Sequence, residues 1–228
     1  MLRISPMGTV ATAVPITTTQ TPRIRVFVDY WNLQLTMNER VRRATNQQDV
    51  RFQFDWKKLS GWLAQKASEA TGIVNYRFDG GIIYASYNPN TTEGRKHHGW
   101  LTTWLNRQPG VQVISYARHP KHAPTCQSCH HSIPNCPRPE CGADLSGTVE
   151  KGVDSAIVTD MIRLAWEDSY EIAVIASSDA DLVPAVQFLN QKGRKVIQAG
   201  FPPSGVSLAT ACWASFDVFQ HRHEIERP

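Results

Sequence analysis

The sequence predicts an α/β fold with a mainly parallel central sheet and a small zinc-binding insertion. Short, almost continuously apolar segments alternate with amphipathic helical segments along the chain. This alternation is typical of a parallel sheet whose strands are joined by right-handed crossovers. Residues 118–148 interrupt the alternation and hold four of the five cysteines. Acidic residues follow two of the apolar segments directly, which predicts a functional site at one edge of the sheet.

The overall composition narrows the class of protein. A chain of 228 residues can form one sizeable domain and a small module. The net charge of +4 permits a polyanionic partner without requiring one. No apolar run has transmembrane length and the N-terminus lacks a signal-peptide core, so we expect a cytoplasmic protein without a membrane partner. Residues 1–22 contain no acid and no periodicity. We therefore expect a flexible arm there and a domain over residues 23–228, interrupted by the insertion.

The first strand is predicted over Ile24–Val28, because an almost entirely apolar run suits a central strand covered on both faces. Asp29 and Asn32 follow at its carboxyl end, where open α/β sheets bind ligands. An alternative role for Asp29 is a turn or helix cap. Residues 34–52 mix arginines with acids and are interpreted either as an edge that contacts phosphates or as a solvated helix face.

The next elements continue the alternation. A helix is predicted over Phe54–Thr71, with Asp55 as its cap and Gly72 as its stop. Strands are predicted over 81–86 and 111–116, and the helix between them over 92–106.

Arg95 and Lys96 lie near the start of the helix predicted over 92–106. Cations beside a strand-end crevice can bind substrate phosphates, although a solvated first turn explains them equally well.

The insertion carries the pattern Cys-x2-Cys-x6-Cys-x4-Cys, formed by Cys126, Cys129, Cys136 and Cys141. Four thiolates close a tetrahedral shell around zinc, and a closed shell implies a structural metal rather than a catalytic one. The second spacing is wider than usual, so His130 or His131 is an alternative to one of the cysteines. Disulfides are the competing interpretation, which a cytoplasmic location disfavours.

The acidic centre lies between residues 150 and 191. A helix predicted over 154–167 places Asp154 at its N-terminal tip, on the same face as its apolar stripe. Asp160 lies on an adjoining face, where it either supports the site or is solvated.

A strand predicted over 172–176 is followed by Asp179 and Asp181. Pro184 must lie in the first turn of the following helix, so Asp181 is a candidate cap and Asp179 precedes that helix.

The last elements complete the sheet. A fifth strand is predicted over 194–200, a short helix over 204–211 and a possible edge strand over 216–219. Cys212 stands alone in an apolar stretch and is interpreted as a buried thiol.

Carboxylates gathered at one edge repel one another unless a cation neutralises them. Mg²⁺ and Mn²⁺ prefer oxygen ligands and retain bound water, which can be activated for hydrolysis. The sequence therefore predicts a Mg²⁺ or Mn²⁺ site held by Asp29, Asp154, Asp179 and Asp181, with Asn32 orienting water or a ligand.

Three segments together resemble the NYN domain of the PIN-like nuclease superfamily. They are VFVDYWNL at 26–33, KGVDSAIVTDM at 151–161 and IASSDADLVPAVQFLNQKGRKV at 175–196. The resemblance implies a three-layer α/β/α sandwich, a PIN-like or Rossmann-like arrangement, and metal-dependent ribonuclease activity. It matches the family's acidic site to Asp29, Asn32, Asp154, Asp179 and Asp181. The match at Asp160 is weaker. The SSDAD segment lacks a glycine that the family often has there, and the cysteine-rich insertion lies outside the resemblance.

The expected function is that of an endoribonuclease that uses Mg²⁺ or Mn²⁺ at the acidic site and Zn²⁺ as a structural ion. Two alternatives remain open at this stage. One is a non-catalytic RNA-binding or adaptor protein that uses the zinc module as its contact. The other is a nuclease that cuts DNA, including single-stranded DNA, at the same metal site.

Overall fold

The structure is a computed structural model that describes residues 21–228. The arm expected over residues 1–22 lies, apart from its last two residues, outside the described residues.

The centre of the fold is a six-stranded sheet in the order β3-β2-β1-β6-β7-β8, in which every neighbouring pair is parallel. Its strands are β1 (Arg23–Asp29), β2 (Arg77–Tyr87), β3 (Val111–Ala117), β6 (Ile172–Ala176), β7 (Lys195–Gly200) and β8 (Ala214–Asp217). The two short strands β4 (His119–Lys121) and β5 (Gly147–Val149) form a separate antiparallel pair. The continuously apolar strands β1 and β6 lie side by side in the middle of the sheet, as expected for strands buried on both faces.

Six helices cover the two faces of this sheet: α1 (Tyr30–Thr45), α2 (Trp56–Thr71), α3 (Thr92–Thr103), α4 (Val153–Trp166), α5 (Val183–Gln191) and α6 (Val206–Ala211). Apolar residues of α1, α2 and α3 form one core with Val26 and Val28 of β1. Residues of α4, α5 and α6 form the other core with Phe27, whose side chain points to the opposite face. The predicted α/β architecture with a mainly parallel sheet is confirmed, and the two cores give it three layers.

The predicted elements differ from the structure mainly in the segment 34–52. Its first part is helix α1, and the arginines Arg42 and Arg43 bind Glu39 of the same helix at 2.8 and 2.6 Å. This is the solvated helix face, the second of the two interpretations. The last strand covers 214–217 instead of 216–219, and the helix predicted to 106 ends at Thr103 and is followed by a 3₁₀ turn at Leu105–Arg107.

The cysteine-rich segment leaves the sheet after β3 and returns before α4. The pair β4–β5 joins its two ends, so the segment begins and finishes next to the carboxyl edge of the sheet. Within residues 21–228, no helix combines the length and the apolar character that crossing a membrane requires.

Candidate active site

The carboxyl edge of the two central strands brings the predicted acids together. Asp29 is the last residue of β1, and Asp179 lies three residues after the end of β6. Asp154 is the second residue of α4, whose N-terminus faces the same edge. This convergence follows from the topology, because neighbouring parallel strands end on the same side of a sheet.

Asp29 is the most deeply buried acid of the site, with only 4% of its surface exposed. One carboxylate oxygen accepts a hydrogen bond from the backbone N–H of Asn32 at 3.1 Å and caps α1, and the other accepts from the Ser177 hydroxyl at 3.4 Å. Burial, together with the negative charges of Glu150, Asp154 and Asp179, raises the pKa of Asp29 to about 7 despite the hydrogen bond from Asn32. Asp29 is therefore a buried carboxyl whose negative charge is raised in energy by nearby carboxylates and is not balanced by a cation among the described residues.

The same crowding extends to Asp154. Burial raises its pKa, and the charges of Asp179, Glu150 and Asp181 raise it further. Of the five predicted catalytic residues, Asp29, Asp154 and Asp179 are thus electrostatically linked, and Asp181 acts on Asp154. The fifth, Asn32, holds the neighbouring loop, because its side-chain oxygen accepts a hydrogen bond from the backbone N–H of Ser178 at 2.9 Å.

The loop after β6 differs from the prediction in one respect. We expected Asp181 as the candidate helix cap, but the capping residue is Asp179, whose carboxylate accepts from the backbone N–H of Asp181 at 2.9 Å. The Ser177 hydroxyl in turn accepts from the backbone N–H of Asp179 at 3.1 Å. Asp181 does not cap this turn and its side chain is exposed, because the chain turns into 3₁₀ geometry at Ala180–Leu182 before α5 begins.

Two further residues join the site without having been predicted. Glu150, just after β5, accepts a hydrogen bond from the Ser86 hydroxyl and lies 4.0 Å from the guanidinium of Arg118. Arg118 also donates to the Ser86 hydroxyl at 2.9 Å. Arg118 is the first residue of the insertion and Glu150 lies two residues beyond its end, and no periodic pattern singles them out there. The signal is the contact with Ser86, at the carboxyl end of β2, which only the folded chain shows.

Asp160 lies in a different environment from the other acids. The Tyr84 hydroxyl donates to one of its carboxylate oxygens at 2.9 Å, and Arg163 donates to the other at 3.0 Å. Asp160 is not among the charges that shift the pKa of Asp29 or of Asp154. Its contacts fix α4 against β2, so we place it outside the crowded carboxylates.

Arg95 and Lys96, which were predicted to bind phosphates, lie in environments that differ from each other and from that of the carboxylates. Arg95 donates to the backbone oxygen of Pro89 at 3.0 Å and to the Thr92 hydroxyl at 3.3 Å, so it stabilises the start of α3. Lys96 borders a large cavity beside the site. The cation next to the carboxylates is Arg118.

Carboxylate oxygens are the ligands that a hard cation such as Mg²⁺ prefers, but the carboxylates of this site do not form a closed cage around one. Among residues 21–228, no three His, Cys, Asp or Glu side chains are placed closely enough to hold a metal ion together. Mg²⁺ retains several waters and needs only one or two direct carboxylate ligands, so a preformed cage is not required. The Ser178 hydroxyl is buried beside Asp179 without a hydrogen-bond partner in the part of the chain described. The raised pKa of Asp29 and this free hydroxyl both fit a site that takes up a hydrated cation.

The cysteine-rich insertion consists of two successive hairpins with the same hydrogen-bond pattern. In the first, the Cys126 backbone N–H donates to the His131 oxygen; in the second, the Cys136 N–H donates to the Ala143 oxygen. The four cysteines are free thiols. Hydrogen bonds from the backbone N–H groups of Cys129 and Ser128 lower the pKa of Cys126, as is favourable for a thiolate ligand.

Comparison with known proteins places the fold. Residues 23–219 match the family model of the NYN domain. A solved structure of a protein of unknown function from Vibrio parahaemolyticus is 18% identical and superposes with a TM-score of 0.53, covering 89% of this chain and 97% of that chain. At this identity the likeness concerns the fold alone. No curated protein matches the sequence. Since the family model spans the whole sheet and the carboxylate edge, the chain belongs to the NYN domain family.

Proposed function

We propose that the protein is a metal-dependent endoribonuclease that hydrolyses phosphodiester bonds of RNA at the carboxylate edge. NYN domains are in general nucleases, which makes a nucleic acid the expected substrate class. The observation that carries the proposal is the crowding of Asp29, Glu150, Asp154 and Asp179 at the end of two central strands. Crowded, half-buried carboxylates destabilise a fold, so their presence together is explained by a cation that they bind.

The residues proposed to hold Mg²⁺ or Mn²⁺ are Asp29, Asp154, Asp179 and Asp181, with Glu150 as an addition. When bound, such an ion lowers the pKa of water and offsets negative charge on the phosphate that is attacked. The metal-supporting part of the chain is rigid, because Asn32 and Ser177 fix the loop that carries Asp179. Arg118 is placed to contact a phosphate oxygen beside Glu150.

A non-catalytic RNA-binding protein is less consistent with this site. Clustered carboxylates repel a polyanion, and a binder would gain nothing from them.

Cleavage is expected to depend on a divalent cation. The wild-type protein should cut labelled single-stranded RNA with Mn²⁺ or Mg²⁺ and should stop when a chelator is added, because the carboxylates alone cannot activate water. Products are resolved on denaturing gels, and internal products from an end-blocked RNA identify endonucleolytic cutting. Single-stranded DNA of the same sequence is the comparison substrate. Cleavage that continues unchanged in the chelator would refute the metal site, and cleavage of DNA alone would replace RNA as the substrate.

We further propose that the insertion binds a structural zinc ion through Cys126, Cys129, Cys136 and Cys141. The two hairpins present one pair of thiols each, and the segment has too few buried residues to form a core of its own. A cytoplasmic location, which would keep the thiols reduced, is part of this proposal.

Purified protein is expected to contain one zinc ion per chain, measured by elemental mass spectrometry. Cys126→Ala should lower the zinc content well below that of wild type, because it removes one of the four thiolates that close the tetrahedral shell. Cys212→Ala is the matched control, since this thiol is half-buried beside α6 and its burial raises its pKa to about 12. Absence of zinc from wild-type protein prepared without a chelator would contradict the assignment, as would equal zinc in wild type and Cys126→Ala.

A further inference from the structure

A cavity of about 960 Å³ lies beside the carboxylate edge and is rich in aromatic side chains. We call it the aromatic groove and define it by Tyr30, Trp56, His97, Trp100 and Trp104. Its volume is at the upper end of the roughly 300–1,000 Å³ that ligand sites occupy. Tyr30 and Trp56 are buried and stack on each other at 4.6 Å, so they form a fixed floor.

One wall of the aromatic groove is a ladder of three parallel rings on α3 and the turn that follows it. His97 and Trp100 stack with their centroids 5.9 Å apart, and Trp100 and Trp104 stack at 5.6 Å, both within about 20° of parallel. The spacings of three and four residues place all three rings on one side of the helix. Trp104 ends the ladder with 43% of its surface exposed. The ladder therefore offers an open aromatic face on which another planar ring can stack.

Positive charge surrounds this open face. Among the described residues, the side chains that border the groove include four exposed cations, Arg51, Lys57, Lys96 and Arg227, and two acids, Asp55 and Glu93. Asp55 also lies within 3.6 Å of the ammonium group of Lys58. The net excess of cations makes the groove complementary to a polyanion.

His97 is the buried member of the aromatic ladder. Its Nε2 atom is buried and has no hydrogen-bond partner among the described residues. Burial lowers its pKa to about 4, and the charges of Arg51 and Arg118 lower it further, so the ring is neutral at physiological pH. The His97 ring therefore contributes to the groove as a neutral aromatic ring and adds no charge to it.

The aromatic groove is joined to the candidate active site by one residue. The ring of Trp31 lies 5.3 Å from the ring of His97, and the guanidinium of Arg118 lies over the Trp31 ring at 5.3 Å. The Trp31 indole N–H donates to the backbone oxygen of Ser86 at 2.7 Å, next to the hydroxyl that binds Glu150. Trp31 therefore connects the aromatic groove with Arg118 and with Ser86, which lie beside the carboxylates.

We propose that the aromatic groove binds the unpaired bases of single-stranded RNA and aligns the strand for cleavage, an inference that rests on the proposed ribonuclease function. Stacking on Trp104 holds a base, while Lys96 and Arg51 contact the phosphates on either side. Aromatic stacking beside a positively charged track is the usual mode of binding for single strands. Because the bases of a duplex are already stacked and paired, the groove selects single-stranded segments.

The test measures binding separately from cleavage. Fluorescence anisotropy of the full chain with fluorescein-labelled oligouridine, without added Mg²⁺ or Mn²⁺, gives the dissociation constant without metal-dependent cutting. Trp104→Ala is expected to weaken binding about 5- to 50-fold, as for the loss of one stacked base. Trp104→Phe keeps a ring and should bind within about threefold of wild type. Trp166→Ala is the matched control, because Trp166 is 81% exposed at the far end of α4, and it should bind as wild type does.

The outcomes separate this proposal from the function on which it rests. In Mn²⁺, Trp104→Ala should lower kcat/KM at least as much as it weakens binding, because Trp104 both holds a base and aligns the strand. Equal RNA binding by Trp104→Ala and wild type would overturn the groove even if metal-dependent cleavage is found. Weakened binding by the variant, together with no cleavage by wild type in any metal, would retain the groove and overturn the ribonuclease. An equal loss of affinity for duplex RNA would refute selection of unpaired bases.

Discussion

Replacing Asp29 with asparagine is expected to abolish RNA cleavage and, at the same time, to stabilise the protein. Activity falls because an amide is a poor ligand for a hard cation and carries no charge, and we expect at least about a hundredfold loss, several kcal/mol of transition-state stabilisation. Stability rises because the asparagine side chain would cap α1 as well as the Asp29 carboxylate does and would carry no buried charge. A residue that merely supports the fold would show the opposite sign of the stability change.

The stabilisation has a definite dependence on pH. The pKa of Asp29 is about 7 in the folded protein, whereas an unfolded Asp has a pKa near 3.8. Below pH 3.8 the carboxyl is neutral in both states, so wild type and Asp29→Asn should be equally stable. As pH rises through 3.8 to 7, only the unfolded state loses its proton, and wild type is progressively destabilised. At about 1.4 kcal/mol per pKa unit, the difference reaches roughly 4 kcal/mol at most above pH 7.

Thermal unfolding in a chelator measures this difference. At pH 8 the variant should melt at least about 4 °C higher than wild type, and at pH 4 the two should melt together. Added Mn²⁺ should raise the melting temperature of wild type more than that of the variant, because the ion binds the folded carboxylates. Asp79→Asn is the matched control, since Asp79 pairs with Arg25 at 3.0 Å near the start of β2, at the opposite edge of the sheet. Loss of activity in Asp79→Asn equal to that in Asp29→Asn would show that the effect is not specific to the site.

The fold could be predicted from the sequence because the central strands of the sheet are marked by short, almost entirely apolar segments. β1 and β6 are almost entirely apolar and bounded by turns, and the predicted strand over 172–176 has the observed limits. Helix α1 was predicted only as one of two interpretations and without limits, because its exposed face mixes charges that bind one another, as Glu39 does with Arg42 and Arg43. Its buried residues, which include Leu33 and Met37, are too few to produce a strong helical period in so polar a segment.

The site was predictable only where an acid directly follows a strand or begins a helix. Asp29, Asp154 and Asp179 satisfy that condition, and the structure brings them within electrostatic influence of one another. Glu150 and Arg118 could not be found in this way, because they meet through Ser86, which lies 64 residues from Glu150 and 32 from Arg118 in the sequence. The capping role of Asp179 depends on a 3₁₀ turn that precedes α5, and the position of Pro184 alone does not distinguish such a turn from the start of the helix.

The loop that carries Asp179 depends on a glycine outside the acidic segments. Gly205 has a φ of +73° at the start of α6, and a Cβ atom there would lie 2.9 Å from both the Cα and the Cβ of Ser178. The Gln198 side chain bridges the same loop, donating to the backbone oxygens of Ser177 at 3.0 Å and of Gly205 at 3.3 Å. A side chain at position 205 must therefore displace the backbone next to Asp179.

Gly205→Ala is accordingly expected to lower both stability and cleavage although it changes no polar group. The left-handed backbone costs about 1–2 kcal/mol for an alanine, and the clash with Ser178 adds about 1–3 kcal/mol. A shift of about 1 Å in the Asp179 loop should reduce cleavage at least tenfold, since catalytic positioning tolerates little displacement.

Gly193→Ala separates the two causes of this loss. Gly193 has nearly the same φ, +77°, but open space where its Cβ would be, at the end of α5. This variant should lose only about 1–2 kcal/mol through backbone strain and should cleave RNA as wild type does. Urea unfolding and initial cleavage rates of both variants show which of the two causes lowers activity.

If Gly205→Ala cleaved RNA at the wild-type rate, the position of the Ser178 backbone would not control the site, and Asp179 would lose its place among the proposed metal ligands. If Gly193→Ala lost activity to the same extent, general destabilisation would explain both results, and the geometry of the loop would not be the cause.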